Sequence, residues 1–427
     1  MPLISVDQAR EYILSHITEL EAETVHLFDA VGRVLAEDVV ADQDIPPFRN
    51  SAMDGYAVQA ADTASASPEH PVLLRVVGTV AAGMAPNMTV ESGVAARIMT
   101  GAPVPPGANA VVRFEDTSEV WPPERRPPNG TIAILRPVQP GENVREAGED
   151  VQRGRTVLRR GDRLRAAEVG LLASLGHSTV ECVRRPRVGV LATGDELVGP
   201  DEPLTPGKIR NSNEYTNVAL VRLAGGIPVP LGIARDNVED LTAKIRRALD
   251  ENVDLLITSA GVSVGDYDMV KNVLAAEGEV HFWQVAIKPG KPLAFGTIVT
   301  EGKRVPLIGL PGNPVAAFVA FEVFVRPTIR KMAGLKPLFR RHFRARVQED
   351  ITNSGRRHYM RARVWRDEAT GELLATTRGS DVRVQGSGIL SSLVWANAFV
   401  VVPEGVTFIP AGETVDVELF DWPEEVF

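Results

Sequence analysis

Asp254 to Pro292 reads DLLITSAGVSVGDYDMVKNVLAAEGEVHFWQVAIKPGKP. Asp254–Leu255–Leu256–Ile257–Thr258 is a short apolar run, the pattern of a strand buried on both faces. A loop follows in which Gly261 and Gly265 bracket Ser263. Asp268 can then cap a helix with Met269, Val270, Val273 and Leu274 as its apolar positions, and Gly278 can end it. The next strand, 281–287, runs into Lys288–Pro289–Gly290–Lys291–Pro292, where prolines hold two lysines near each other. Glycines after a strand let backbone N–H groups approach a ligand, and a helix N-terminus favours an anion. One glycine-rich turn is equally an ordinary α/β turn. Two such loops at successive strand ends point to a site, because open α/β sheets bind ligands at strand C-termini.

The same alternation extends outward. Val188–Ala192 is a buried-strand pattern that ends in Thr193–Gly194–Asp195–Glu196–Leu197. Asn211–Ser212–Asn213 opens a helix that Gly225–Gly226 stops. A strand over 228–234 ends at Arg235–Asp236, and Val238, Leu241, Ile245, Ala248 and Leu249 recur at helical spacing. A strand over 305–310 leads to Pro311–Gly312–Asn313–Pro314, which suits the first turn of a long apolar helix. Alternation from 188 to 334 predicts a doubly wound, mostly parallel sheet, placed in a domain over 183–334. Beyond Lys336 the period changes to short strands such as HYMRARVWR and AFVVVP, which predict a β-barrel over 335–427. Within it, Arg383–Ser392 (RVQGSGILSS) is a Gly- and Ser-rich loop that carries Ser387 and Ser392.

The first half is organised differently. Ser5, Gln8 and the apolar stripe Val6, Ala9, Ile13, Leu14, Ile17 and Leu20 predict a capped helix over 5–20. Pro46–Val58 (PPFRNSAMDGYAV) is too polar for a regular strand; its composition is foremost that of a surface loop, and Ser51 and Asp54 make it a candidate binding loop. Residues 72–136 are rich in short strands and predict a small antiparallel domain, with Thr100–Gly101 in a turn inside RIMTGAPVPP. Pro140–Gly161 carries Arg145 and Asp150. A short helix over 166–175 ends at Gly176. The expected arrangement is a discontinuous elongated domain from 1–45 and 141–182, with a β-rich domain over 46–140 inserted.

The chain has 427 residues, 44% hydrophobic and 24% charged, which is ordinary for a globular protein. A formal charge of −9 argues against a nucleic-acid surface, so an anionic ligand needs local cationic clusters. The single cysteine, Cys182, excludes an intrachain disulfide and a thiolate metal site. The seven histidines show no metal-binding spacing. There is no Walker-type phosphate loop and no nucleophilic triad pattern. The N-terminus lacks the pattern of a signal peptide, and the most apolar stretch, 305–325, is broken by Pro306, Pro311, Pro314 and Glu322. A cytoplasmic protein without membrane contact is expected. Asp195, Glu196, Asp236, Asp266 and Asp268 fall at or near strand ends, a donor set that suits Mg²⁺. Lys288 and Lys291 can receive oxyanions as point charges.

The loops GVSVGDYD, AIKPGKP and GLPGNP, with TGDEL and NSN, resemble the domain shared by molybdopterin adenylyltransferases and molybdopterin molybdenumtransferases. PPFRNSAMDGYAV, RIMTGAPVPPGANAVV and GENVREAGEDV resemble the molybdenumtransferase branch, which includes the C-terminal part of gephyrin. The resemblance runs from about residue 5 to the C-terminus. It implies Mg²⁺-dependent insertion of molybdate into adenylylated molybdopterin with release of AMP. It also implies an elongated homodimer whose active site is shared between subunits, and contact with a molybdopterin adenylyltransferase. Motif by motif, it assigns catalysis to Asp54, Thr100, Glu196, Asp236 and Asp268, with Glu196 and Asp268 on the metal. It assigns binding to Ser51, Arg145, Asp150, Gly261, Ser263, Gly265, Lys288, Lys291, Pro311, Pro314, Ser387 and Ser392. The family often carries a lysine where this chain has Gln284, which removes one cation and leaves Lys288 and Lys291. The competing readings are a molybdopterin adenylyltransferase and a gephyrin-like scaffold.

Overall fold

The run 255–259 is buried at every position because it is a central strand covered on both faces. Leu255 and Ile257 pack to one side with Val188, Val190, Leu220 and Val221. Leu256 packs to the other with Leu191, Leu241, Ile245 and Ala248. Two helices on opposite faces, Ser212–Ala224 and Val238–Asp250, therefore explain why the strand is apolar throughout instead of alternating. The computed structural model describes residues 3–259, 278–300, 303–379 and 385–421. The chain forms two compact units: Met1–Thr24 with Gly32–Val34 and Glu181–Phe427, and Val25–Val31 with Leu35–Val180.

In the first unit, the seven-stranded sheet runs Ile227–Ala234, Arg187–Thr193, Leu255–Ser259, Lys303–Leu310, Pro292–Thr300, Gly278–Val285, Leu3–Ile4. The first four strands are parallel. The next two join by antiparallel pairing, and Leu3–Ile4 adds a parallel edge. The sheet is therefore mixed. The strand Pro292–Thr300 directly follows the KPGKP loop and folds back on Gly278–Val285, which antiparallel pairing permits through a short connection.

The helix Val6–Ser15 starts with the expected capping box: Gln8 N–H donates to Ser5 Oγ, and Ser5 N–H donates to Gln8 Oε1. It buries Val6, Ala9 and Ile13 against the helical layer beneath the sheet. The helix opened by PGNP runs as Pro314–Ala320, a π turn Phe321–Val325, and Arg326–Met332.

The C-terminal strands close into a five-stranded barrel: Arg357–Arg366, Leu373–Thr376, His342–Val347, Thr414–Leu419, Ala398–Val402, and back to Arg357–Arg366. Met360, Ala362, Val364, Val400, Val402 and Val417 fill it. Tyr359, Phe399 and Val401 point outward and join the core of the α/β layer. The barrel is further tied to the sheet by Ile287–Lys288, which pairs in parallel with Arg357–His358. Among the described residues no helix is long and apolar enough to cross a membrane.

The second unit holds a five-stranded sheet in the order Ala110–Arg113, Gly55–Val58, Val94–Ile98, Val72–Val80, Thr131–Ile134. It was expected to be antiparallel, yet Val72–Val80 pairs in parallel with Val94–Ile98. The segment 81–93 between them is long enough for the crossover that parallel pairing needs. Tyr56, Val58, Leu74 and Val112 pack on one face, Ala57, Val80, Ile98 and Val111 on the other. Short ladders join the two flanks of this sheet: Val39–Val40 with Thr156–Leu158, and Asn50–Ser51 with Val144–Arg145.

Candidate active site

A cavity of about 720 Å³ opens at the C-terminal ends of the parallel strands in the first unit. Four loops build its sheet side. The first follows the strand Arg187–Thr193 and turns at Gly194, whose φ is +142°. The Glu196 carboxylate folds back over Gly194, so a Cβ there would collide with it. The backbone conformation favours glycine, and a side chain there would also make the Glu196 carboxylate shift. The neighbouring acids pair backbone to side chain: Asp195 N–H donates to Asp236 Oδ2 at 3.2 Å, and Asp236 N–H to Asp195 Oδ1 at 3.3 Å. Asp236 therefore braces the loop that presents Glu196 and does not itself line the cavity.

The second loop supplies Arg210, Asn211, Ser212 and Asn213. Asn211 caps its helix by accepting from Glu214 N–H at 3.3 Å. Asn213 Nδ2 donates to Gly312 O at 2.8 Å, which fastens the helix start to the PGNP turn. The third loop is Lys288–Pro292 and brings both lysines to the cavity wall. Gly290, at φ +101°, lies so close to Pro311 that a Cβ would sit 3.3 Å from Pro311 Cγ. The fourth is Pro311–Pro314, where Pro314 opens the helix as expected.

The barrel forms the opposite wall with Arg356, His358, Gln385 and Ser387. Asn313 Nδ2 donates to Ser387 Oγ at 3.1 Å, and Val315 N–H to Ser387 O at 3.1 Å, so the Gly-Ser loop docks on the PGNP turn. Ser392 lies elsewhere: it is buried, accepts from Arg361 Nε at 3.2 Å and donates to Ile389 O at 2.6 Å. Gln284 sits within the sheet between Leu3 and Pro292 and does not line the cavity. Gly261, Ser263, Gly265, Asp266 and Asp268 lie outside the described residues.

The structure thus brings Glu196, Lys288, Lys291, Pro311, Pro314 and Ser387 around one space. Sequence reasoning missed Arg356, His358, Asn213 and Gln385. A polar residue at an otherwise apolar strand position was the available signal for His358; for Gln385 and Arg356 there was none beyond composition.

In the second unit, Asp54 and Thr100 meet directly. Thr100 donates to Asp54 Oδ1 through its amide at 2.7 Å and its hydroxyl at 2.8 Å. The amide, the hydroxyl and then the charge of Arg97 hold the Asp54 carboxyl below its ordinary value. Ser51 is buried behind them: its N–H donates to Ala102 O and its carbonyl accepts from Gly101 N–H. Arg145 is exposed and pairs with Asn50 on the adjacent strand. Asp150 is exposed further along, where its N–H donates to Ile45 O.

Three family descriptions match the chain: the MoeA N-terminal region (domain I and II) over 4–176, a probable molybdopterin binding domain over 189–331, and the MoeA C-terminal region (domain IV) over 344–420. The molybdopterin molybdenumtransferase of Nostoc sp. is 39% identical, the alignment covering 97% of this chain and 93% of that protein. The chain belongs to the molybdopterin molybdenumtransferase family. The Bacillus subtilis molybdopterin molybdenumtransferase is 38% identical over 99% of this chain and 97% of its own length. Among solved structures, the molybdopterin biosynthesis MoeA protein from Pyrococcus horikosii superposes with a TM-score of 0.82 at 34% identity, covering 99% of this chain and 100% of that one. In this member of the molybdenumtransferase family, the sheet side of the cavity comes mainly from the 189–331 region and its barrel side from the 344–420 region.

Proposed function

We propose that this chain inserts molybdate into adenylylated molybdopterin, releasing AMP and forming the molybdenum cofactor. The observation that carries the reading is the cavity wall itself: Lys288, Lys291 and Arg356 face a space that also holds the Glu196 carboxylate. Molybdate and the phosphoanhydride are both anionic, and cations at a strand-end cleft are what such groups require. Helix starts at Ser212 and Pro314 line the same space and favour negative charge.

Among the described residues no cluster of three or more acidic, histidine or cysteine side chains could cage a metal. Mg²⁺ keeps several waters and uses one or two carboxylates together with substrate phosphate oxygens, and the Glu196 side chain lines the cavity. We assign Glu196 to it, with Asp268 as the second carboxylate. Mg²⁺ held there would offset charge on the leaving phosphate oxygen. Lys288 and Lys291 hold oxyanions in place, Asp236 positions the loop of Glu196, and Gly261, Ser263 and Gly265 are assigned to substrate binding.

Ser51, Asp54, Thr100, Arg145 and Asp150 act on the same substrate from the second copy of a homodimer. The chain divides into a discontinuous domain (1–45, 141–182), an inserted domain (46–140), the sheet domain (183–334) and the barrel (335–427). It works in the cytoplasm and receives substrate from a molybdopterin adenylyltransferase.

AMP release from adenylylated molybdopterin, followed at increasing Mg²⁺ and molybdate, tests the reading. Glu196→Gln is expected to raise the Mg²⁺ requirement and Lys288→Ala the molybdate requirement. Wild-type dependence on both in either variant refutes the assignment of that residue.

A further inference from the structure

His358 is 2% exposed and lines the cavity, yet neither Nδ1 nor Nε2 has a hydrogen-bond partner among the described residues. Buried polar groups are normally paired, and one left open beside a cavity points to a ligand group that completes it. Its position is set by two strands. Ile287–Lys288 pairs in parallel with Arg357–His358, with Lys288 directly opposite His358. On the other side His358 pairs with Val402, which is apolar.

The charged groups that act on the ring are all cations: Lys288 from the KPGKP segment, Arg361 from its own strand, and Arg356 just before that strand. Gln385 and Ser387, the other polar side chains on this wall, are uncharged. Burial first, then those three charges, hold the imidazole neutral, with its pKa pushed down to about 3. A neutral imidazole has one N–H donor and one bare acceptor nitrogen. Against an anion the donor is used and the bare nitrogen meets a second lone pair.

We propose that His358 contacts an oxyanion bound in this cavity and takes up one proton from solvent as the anion arrives, so that both ring nitrogens donate. The inference rests on the reading of this cavity as an anion site. The bound dianion offsets the charges of Lys288, Arg361 and Arg356 and itself attracts a proton to the ring, and both effects work against the larger penalty of burial. The step is an imidazole and a proton becoming an imidazolium, with no other bond made or broken. Anion affinity then depends on pH. It falls up to about tenfold per pH unit between the ring value of the free protein and the higher value imposed by the anion, and is flat above that.

The test is calorimetric titration of the full chain with sodium molybdate between pH 6 and 8, in buffers of different protonation enthalpy. The wild type is expected to take up roughly half a proton or more per anion at the acid end of that range. His358→Gln is expected to take up measurably less, and the comparison isolates the ring because every other side chain is the same in both proteins. Ring ¹⁵N NMR provides a second measurement on the wild-type protein. The His358 signal, identified by its absence from His358→Gln or His358→Asn, should move from neutral to imidazolium on saturation with molybdate. Equal proton uptake in both proteins, or a ring that stays neutral when molybdate is bound, overturns the inference and leaves the anion site standing. No molybdate binding by the wild type overturns the anion reading and this inference with it.

Discussion

Thr100 donates twice to one oxygen of Asp54, at 2.7 Å from its amide and 2.8 Å from its hydroxyl. Two donors on one carboxylate oxygen stabilise the charged form and restrict where the carboxylate can turn. The pair joins two loops, MDGYA and MTGAP, that are far apart in the chain.

Thr100→Val removes the hydroxyl donor and keeps the amide. The Asp54 carboxyl should move up and remain below its ordinary value of about 3.9. Because its folded value is lowered, its contribution to stability is present above the unfolded value and is lost as pH falls through the folded one. Carbon-13 NMR titration of Asp54 in the two proteins checks this. An unchanged titration would show that the hydroxyl bond carries nothing.

Gly194→Ala places a methyl group where the Glu196 carboxylate sits, on a backbone at φ +142°. Strain of this kind costs about 1–3 kcal/mol. We expect a lower urea midpoint and, separately, a raised Mg²⁺ requirement for AMP release, because Glu196 must leave its place. A variant that loses stability but keeps wild-type Mg²⁺ dependence would detach Glu196 from the metal.

Lys291→Ala should weaken molybdate binding. A charge-assisted hydrogen bond is worth about 1.5–3 kcal/mol, which corresponds to about 10- to 100-fold in affinity. Equilibrium dialysis against molybdate reads the loss directly. Lys291→Arg keeps the charge and should recover part of it, since the position needs a cation on a flexible stem.

Ser387 lies in the Gly-Ser loop, whereas Ser392, expected in the same loop, lies in the short helix Ser391–Trp395, and the two are expected to behave differently. Ser387→Ala breaks the bond from Asn313 at the cavity edge and should raise KM for the pterin substrate with little change in melting. Ser392→Ala leaves the buried Arg361 guanidinium short of one acceptor, and should cost about 1–3 kcal/mol of stability. Urea unfolding and steady-state kinetics on both variants separate the two roles; identical profiles would mean that both serines serve the same one.

How much was legible from residues alone varies along the chain. The central strand at 255–259, the helix caps at Ser5 and Asn211, the stop at Gly225 and the late barrel all carry local signatures. Apolar periodicity and capping chemistry act within a few residues and can be read without knowing what lies across space. The loops that build the cavity were legible as loops, and Lys288, Lys291, Pro311 and Ser387 of their motifs line it.

Pairing was not legible in the same way. The parallel partner of Val72–Val80, the antiparallel return of Pro292–Thr300 and the closure of the barrel depend on segments that meet only after folding. Alternation tells a residue which face it occupies, but it does not name the strand beside it. His358 shows the consequence most directly. In the chain it stands out only as a polar residue in alternation with Met360, Ala362 and Val364, and it is the register with Ile287–Lys288 that sets it next to a lysine on the wall of the cavity. Chain chemistry decided which elements form; long-range strand register, which no local pattern encodes, decided which side chains share the site.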